Sequence, residues 1–473
     1  MKKTFVLFAL CLLVLLGGLI AAVTILHNDR DDIVVTAYDQ AGDRSAAQGF
    51  TAQQSVRRGS HLRWDLTMDL GTPEESTTEF SYVREAMGGF VEAGPEDLIL
   101  YLTTDAYGSS AASEGEIAQT EDPWTQMIQD VYQRTPEGEL STENVLLSDY
   151  FTYYPLTAHM TLPQRVDFTQ LSWDPDAVTQ AFQDFFRFPV VPGDTLPVTI
   201  DRTAGDSYTM EHRPGAASPS METICAMTQE GFFFSFSPTT RPFPSFAEVP
   251  GGYGLYWIAA PNGEPHPDSL SCVYPLPEGT YALDLTLTPD GSWLVMTTGT
   301  AQGYACTVLD TETMEEVQTF PVPMDPPVCS PAFLTTQDGT LVSYLCYSFE
   351  VMPSLAGEDF FCLLAKDSIH LFLLEDGQYI HQFSVPSQEA NLQTYRPGGT
   401  GLWNGEKLAL AKGTDDKPGL ELWVYDEKGS LLYHGKYVTS LEEDAKTDQD
   451  TVEYWEYSLY LLERAELTLG WVE

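Results

Sequence analysis

The sequence predicts an all-β fold. A four-stranded antiparallel unit recurs seven times and is closed into a ring by strands from the two chain ends, behind one N-terminal membrane-spanning helix. Three observations carry this reading. In Leu283–Phe320, four apolar runs alternate with turn signals at Pro289-Asp290-Gly291, Thr298-Gly299 and Asp310-Thr311-Glu312-Thr313. Asp-Gly between alternating residues favours a tight hairpin, because these residues tolerate the positive φ such turns need. Four short strands in about 40 residues are the content of one blade of a β-propeller. The second observation is the recurrence of a strand–acid–turn signature along the chain, and the third is an uncharged N-terminal run.

That run, Thr4–Leu26, follows Lys2 and Lys3 and precedes Asp29, Asp31 and Asp32. As a helix it spans roughly 34 Å, enough to cross a hydrocarbon core of about 30 Å. The flanking charges place the N-terminus in the cytoplasm and the bulk of the chain outside the plasma membrane. A signal peptide cleaved near Ala21-Ala22 is the alternative, which would leave a secreted protein; the length of the apolar run favours an uncleaved signal anchor over residues 1–26. Cys11 follows Leu10, where lipoprotein processing wants a small residue. Residues 27–32 form a juxtamembrane linker, and 33–473 the propeller.

The signature occurs at Tyr38–Gly42, at Val131-Tyr132 into Pro136-Glu137-Gly138, and at Ile200-Asp201 into Ala204-Gly205. It returns at Ala260–Gly263, Leu309-Asp310 into Thr313-Met314, Leu374–Gly377, and Tyr425-Asp426 into Lys428-Gly429. Each is read as the outer hairpin of one blade. Inner hairpins are expected at Glu230-Gly231, Asp290-Gly291, Asp338-Gly339 and Asn404-Gly405. Too little chain precedes the first signature for two inner strands, so residues 452–471 are expected to supply them and remove an open sheet edge. A C-terminal helix is the alternative there, since Tyr454, Tyr457, Leu461 and Leu462 fit a helical stripe. Asp174-Pro175 with Val178, Phe182, Phe185 and Phe186 predicts a helix ending before Pro189. Asp122-Pro123-Trp124 with Met127, Ile128 and Val131 predicts another helix, or a strand leading into the second signature. The alternative architecture is a separate domain over 33–215 followed by a partial propeller over 216–473.

Over about 220–436 these repeats resemble the blades of WD40-like and TolB-type propellers, which share the pattern of Pro-Asp-Gly, apolar strand, gap and apolar strand ending in Asp. The resemblance implies a β-propeller and no particular activity.

Composition narrows the partners. Asp plus Glu number 69 against 23 Lys plus Arg, a net charge of −46, so nucleic acid is excluded as a partner by repulsion of its phosphates. The 24 Phe, 24 Tyr and 9 Trp can fill a sizeable core. Apart from Cys11, all cysteines follow residue 220 and none shows C-x-x-C spacing, which reads as buried thiols. Cys346–Cys362 is the pair placed for a disulfide if they lie on neighbouring strands.

Turns on one face of such an array read as tight. The other set is long: Ser237–Gly252, Ser348–Asp359, Pro386–Gly401, Tyr107–Asp122 and Tyr150–Pro163. Loop elaboration on one face marks the binding face. The candidate ligand-binding residues are Arg241 with Phe243 and Phe246, and Arg396 with Tyr395, which suit an anionic or saccharide ligand through fork hydrogen bonds and stacking. The competing role is pinning the loops. The aromatic run Tyr150-Phe151-Tyr153-Tyr154 divides the same way between sugar platform and packing. No G-x-S-x-G, H-E-x-x-H, Walker or G-x-G-x-x-G motif occurs, and no spacing calls for a metal or cofactor. His370 and His381 flank one hairpin and are expected to face each other as a paired position. The expected function is binding of a protein partner or an envelope saccharide or peptide through the loop-rich face. The alternative is a glycoside hydrolase or lyase with carboxylates at the channel mouth.

Overall fold

In the computed structural model, residues 32–58, 62–82, 99–103, 107–110, 123–161, 175–203, 207–211, 221–238, 243–261, 264–324, 330–335, 341–346, 351–365, 368–386, 399–414, 418–441, 462–464 and 467–472 are described, with Leu16 and Gly18. The rest of the expected membrane segment Thr4–Leu26 lies outside them; among the described residues no helix is long and apolar enough to cross a membrane.

The Pro-Asp-Gly turn folds as its chemistry demands. Asp290 accepts from Ser292 N and from the hydroxyls of Thr288 and Ser292, while Gly291 takes φ +71°. Tyr281–Leu287, Trp293–Thr300, Gly303–Asp310 and Glu316–Val322 form a sheet in chain order, each strand antiparallel to the next. One turn sits later than expected. Thr298 and Gly299 lie inside a strand, and the reversal is at Ala301-Gln302. Gly299 is small because the Leu283 side chain lies 2.9 Å from where its Cβ would be, and Gly303, at φ +149°, carries the turn's strain instead. Met221–Met227, Gly231–Pro238, Gly254–Ala259 and Ser271–Pro275 make a second four-stranded sheet of the same sequential topology. The described elements are thus mainly small antiparallel sheets with few helices, an all-β architecture.

The chain divides into two compact units, Met1–Val91 with Asp359–Glu473, and Glu92–Glu358. In the first, Gly399–Trp403, Lys407–Gly413, Gly419–Asp426 and Leu431–Thr439 pair in order, and Val35–Gly42 adds a fifth strand beside Leu431–Thr439. The Tyr38–Gly42 signature is therefore not a hairpin. Its extra residue makes a bulge between Asp39 and Ala41, and Asp39 binds Arg44 through two 2.8 Å hydrogen bonds instead of closing a turn. The C-terminal strands Leu462–Arg464 and Thr468–Trp471 both pair with Phe50–Arg58, which continues into Leu62–Asp69 and Thr77–Tyr82. Each chain end thus completes a sheet made mostly from the other end, and Leu462 is in a strand, not a helix. Tyr454, Tyr457 and Leu461 lie outside the described residues. Between these two sheets, Phe50, Ala52, Met68 and Leu70 pack with Ala411, Leu422, Val424, Tyr433 and Tyr437.

Also in the first unit, Ser368–Glu375 and Gln378–Pro386 turn at Asp376-Gly377, with φ +51° and +79°, the two positive values of a type I′ hairpin. A bulge between Leu371 and Phe372 shifts the register. His370 faces Ser384 and His381 faces Phe372, so the two histidines are not directly paired, although their rings are 5.9 Å apart.

The second unit contains the departures. Pro123–Arg134 is an α-helix (α1) burying Met127, Ile128 and Val131, so the apolar run of the second signature is helical and Pro136–Gly138 joins a helix to Leu140–Leu146. Proline at the first turn costs that helix nothing, because that N–H would be unpaired anyway. Pro175–Phe185 is the second expected helix (α2). Thr195–Asp201 pairs with Ser207–Glu211 as the third signature predicts, but its other neighbour is Leu140–Leu146. Among the described residues Ser330–Thr335 and Leu341–Cys346 pair antiparallel as a two-stranded sheet, and the expected inner turn Asp338-Gly339 between them lies outside the described residues. Cys362 is a free buried thiol, as is Cys306; Cys225 and Cys272 are half-buried.

Candidate functional site

The loop after Gly231–Pro238 carries two of the candidate ligand residues. Val249 N donates to Phe246 O and Gly252 N to Val249 O, and Gly251 and Gly252 take φ +80° and +72°, which a side chain would resist. This tight return sets Phe246 inward. It is buried, with ring centroids 4.8 Å from Phe188 and 4.9 Å from Tyr253 in edge-on contacts. Phe243 is half-buried, stacked on Phe246 at 5.2 Å and edge-on to Tyr253 and Tyr281. Tyr253 fixes the cluster to two sheets: its hydroxyl donates to Phe236 O at 2.5 Å and accepts from Ala282 N at 2.8 Å. Burial pushes its pKa up, so it stays a neutral donor. At the rim, Tyr153 donates to Glu248 at 2.7 Å, and that carboxylate is the first cause holding the phenol's pKa up.

Phe246 thus packs as a core side chain, while Phe243 and Tyr281 are half-buried beside it. Arg241, Tyr395 and Arg396 lie outside the described residues. Sequence reasoning missed Tyr253, Tyr281 and Glu248 as members of this cluster; the alternation of Gly-Tyr-Gly at 252–254 was the available signal for a ring wedged in a turn. Tyr150 and Tyr154 anchor rather than display. Tyr150 donates to Asp130 at 2.5 Å, and Tyr154 donates to Asp194 at 2.7 Å and accepts from Val191 N at 3.1 Å.

The carboxylates have a common arrangement. Asp310 accepts from the backbone N–H groups of Glu312 and Thr313, and these bonds hold its pKa below the ordinary carboxylate value. Asp426 accepts from Lys428 N and Ser430 N with the same result. Asp201 and Asp290 are lowered first by the hydroxyls of Thr203 and Thr288. Asp39 is lowered first by its hydrogen bond from Arg44. Asp201, Asp290, Asp310 and Asp426 are ionised turn caps and Asp39 is an ion-pair partner; a general acid would need the opposite shift. Among the described residues no group of three or more His, Cys, Asp or Glu is placed to hold a metal ion.

No family model matches the chain. No curated protein matches it either. Among solved structures it is similar to the periplasmic gluconolactonase of Pseudomonas aeruginosa, at 14% identity and a TM-score of 0.25, covering 62% of this chain and 82% of that one. It is also similar to hydrazine synthase of Kuenenia stuttgartiensis, at 12% identity and a TM-score of 0.23, covering 47% of this chain and 49% of that one, about half its length. Likenesses at this level identify neither activity nor ligand.

Proposed function

We propose that this chain is a binding protein of the outer side of a plasma membrane: anchored by Thr4–Leu26, with a seven-bladed propeller whose loop-rich face takes a protein partner or an envelope saccharide or peptide. The observation that supports binding over carboxylate catalysis is the direction of the acid shifts. Asp201, Asp290, Asp310 and Asp426 are all held ionised by turn hydrogen bonds, and each is consumed in shaping a loop. The aromatic base under the 243–253 loop supplies the rigidity that a binding loop needs to avoid an ordering cost on association. The −46 charge favours neutral or cationic ligands and a partner with a basic surface.

The test is retention of the detergent-solubilised full-length chain on immobilised cell-wall polysaccharide, cell-wall peptide and a membrane-protein extract. Binding to one of these, weakened by Phe243→Ala with the melting temperature kept, supports the reading. Turnover of a glycoside substrate with no retention overturns it. Membrane anchorage is tested separately: the protein should resist carbonate extraction and be cut by protease added outside intact cells.

A further inference from the structure

The Ser368–Glu375 and Gln378–Pro386 hairpin aims two imidazole nitrogens at one hydroxyl. Ser384 Oγ lies 2.8 Å from His370 Nδ1 and 3.0 Å from His381 Nε2. The other nitrogen of His370, Nε2, lies 2.8 Å from Ser368 Oγ. Strand register explains the convergence: Ser384 stands opposite His370, and the bulge between Leu371 and Phe372 brings His381 to the same side. We propose that His370 Nδ1, His381 Nε2 and the Ser384 hydroxyl form a site for a borderline divalent cation, of the Zn²⁺ or Cu²⁺ class, with water completing its coordination.

The donor set selects the metal class. Neutral imidazole suits zinc, copper and nickel, whereas calcium and magnesium require oxygen cages. Ser368 holds the far nitrogen of His370, the arrangement that fixes the tautomer and ring orientation of a metal-binding histidine. With His370 carrying its proton on Nε2 toward Ser368, the Nδ1 lone pair faces Ser384. His370 is buried while His381 and Ser384 are exposed, so a cation can enter from solvent against a fixed inner ligand.

The experiment titrates the full-length chain in detergent with Cu²⁺ in the presence of excess Mg²⁺, which occupies surface carboxylates, and reads the electron paramagnetic resonance spectrum. The expected result is superhyperfine coupling to two nitrogens. His381→Ala, at an exposed position that does not threaten folding, should reduce it to one nitrogen and weaken binding at least tenfold. Ser368→Ala should keep both nitrogens and weaken binding by about tenfold. His266→Ala, in the connection between Gly254–Ala259 and Ser271–Pro275, should change nothing. A wild-type spectrum showing oxygen ligands alone or a single nitrogen overturns the proposal, as does a two-nitrogen spectrum that survives His381→Ala.

Discussion

Two parts of the second unit are built from equally ordinary strands, yet they hold together differently. In Tyr281–Val322 every strand pairs with its neighbour in the chain, and each reversal is a short turn with its own cap. In the sheet containing Leu140–Leu146, that strand pairs with Thr195–Asp201 across a long excursion that includes α2 and the strand Thr157–Thr161, which belongs to another sheet. Local pairing needs little loop-closure entropy, whereas distant pairing must be compensated by contacts elsewhere. Here the compensation is aromatic. Phe182 of α2, with Phe186 and Phe188 just after it, bury themselves against Phe232, Phe234, Phe236 and Tyr256 of the neighbouring sheet. One region is specified by its turns, the other by its core.

The largest effect should come from removing that core. Phe186 is fully buried and touches Phe182, Phe185, Phe188, Phe234, Phe236 and Tyr256. Phe186→Ala should cost about 3–5 kcal/mol. Urea unfolding gives the size, and amide exchange gives the place: protection should fall in Thr195–Asp201 before it falls in Trp293–Thr300. Equal loss in both would erase the contrast. Next in size is Tyr154→Phe. It removes the 2.7 Å bond to Asp194, a buried carboxylate whose backbone carbonyl accepts from Leu147 N and so ties the excursion's two ends together. A charge-assisted bond of this kind is worth about 1.5–3 kcal/mol, seen as a lower urea midpoint.

The same contrast decides what could be read from the chain before its structure. The hairpins at Asp290-Gly291, Asp310–Thr313, Asp376-Gly377 and Tyr425–Gly429 stand where turn chemistry put them, because the Asp caps at 290, 310 and 426 and the positive-φ residues Gly291, Met314, Asp376, Gly377 and Gly429 are local requirements. Tyr38–Gly42 and Val131–Gly138 carry the same letters and are a bulged strand and a helix end. In the first, Asp39 is taken by Arg44 five residues on. In the second, the i, i+1, i+4 spacing of Met127, Ile128 and Val131 makes a helix stripe that a two-residue signature ignores. Of the candidate site, the aromatic character of the 243–246 segment was legible. That Phe246 turns inward depends on Tyr253 and Phe188, which are distant in sequence. The His370–Ser384–His381 convergence was hidden by a bulge that no local pattern marks.

A smaller test sharpens the local side. Gly377 sits at φ +79° with open space around its missing Cβ, so Gly377→Ala meets backbone strain without a clash. The loss should be about 1–2 kcal/mol, with the register of Ser368–Glu375 unchanged in amide exchange. Gly429, at φ +78°, is the informative partner, since a Cβ there also presses on the Phe383 ring at 2.8 Å. Gly429→Ala should therefore cost more than Gly377→Ala. Equal losses would mean that backbone conformation alone governs both turns.

The smallest effect separates the charge of a turn cap from its shape. Asp426 accepts from Lys428 N at 2.9 Å and from Ser430 N at 2.7 Å, and these bonds depress its pKa in the folded chain. Asn404 performs the same office at the turn between Gly399–Trp403 and Lys407–Gly413 of that sheet, accepting from Glu406 N and Lys407 N, so Asp426→Asn keeps an acceptor that fits. What the substitution removes is the ionised form. The folded pKa lies below the unfolded value of about 3.9, so the charge contributes its full stability above that value. Its contribution is lost as pH falls through the folded pKa. The unfolding midpoints of wild type and Asp426→Asn should therefore differ modestly at pH 7 and converge under strong acid. A gap that persists there would assign the effect to hydrogen-bond geometry, and the turns of the local sheets would then owe their definition to shape and not to charge.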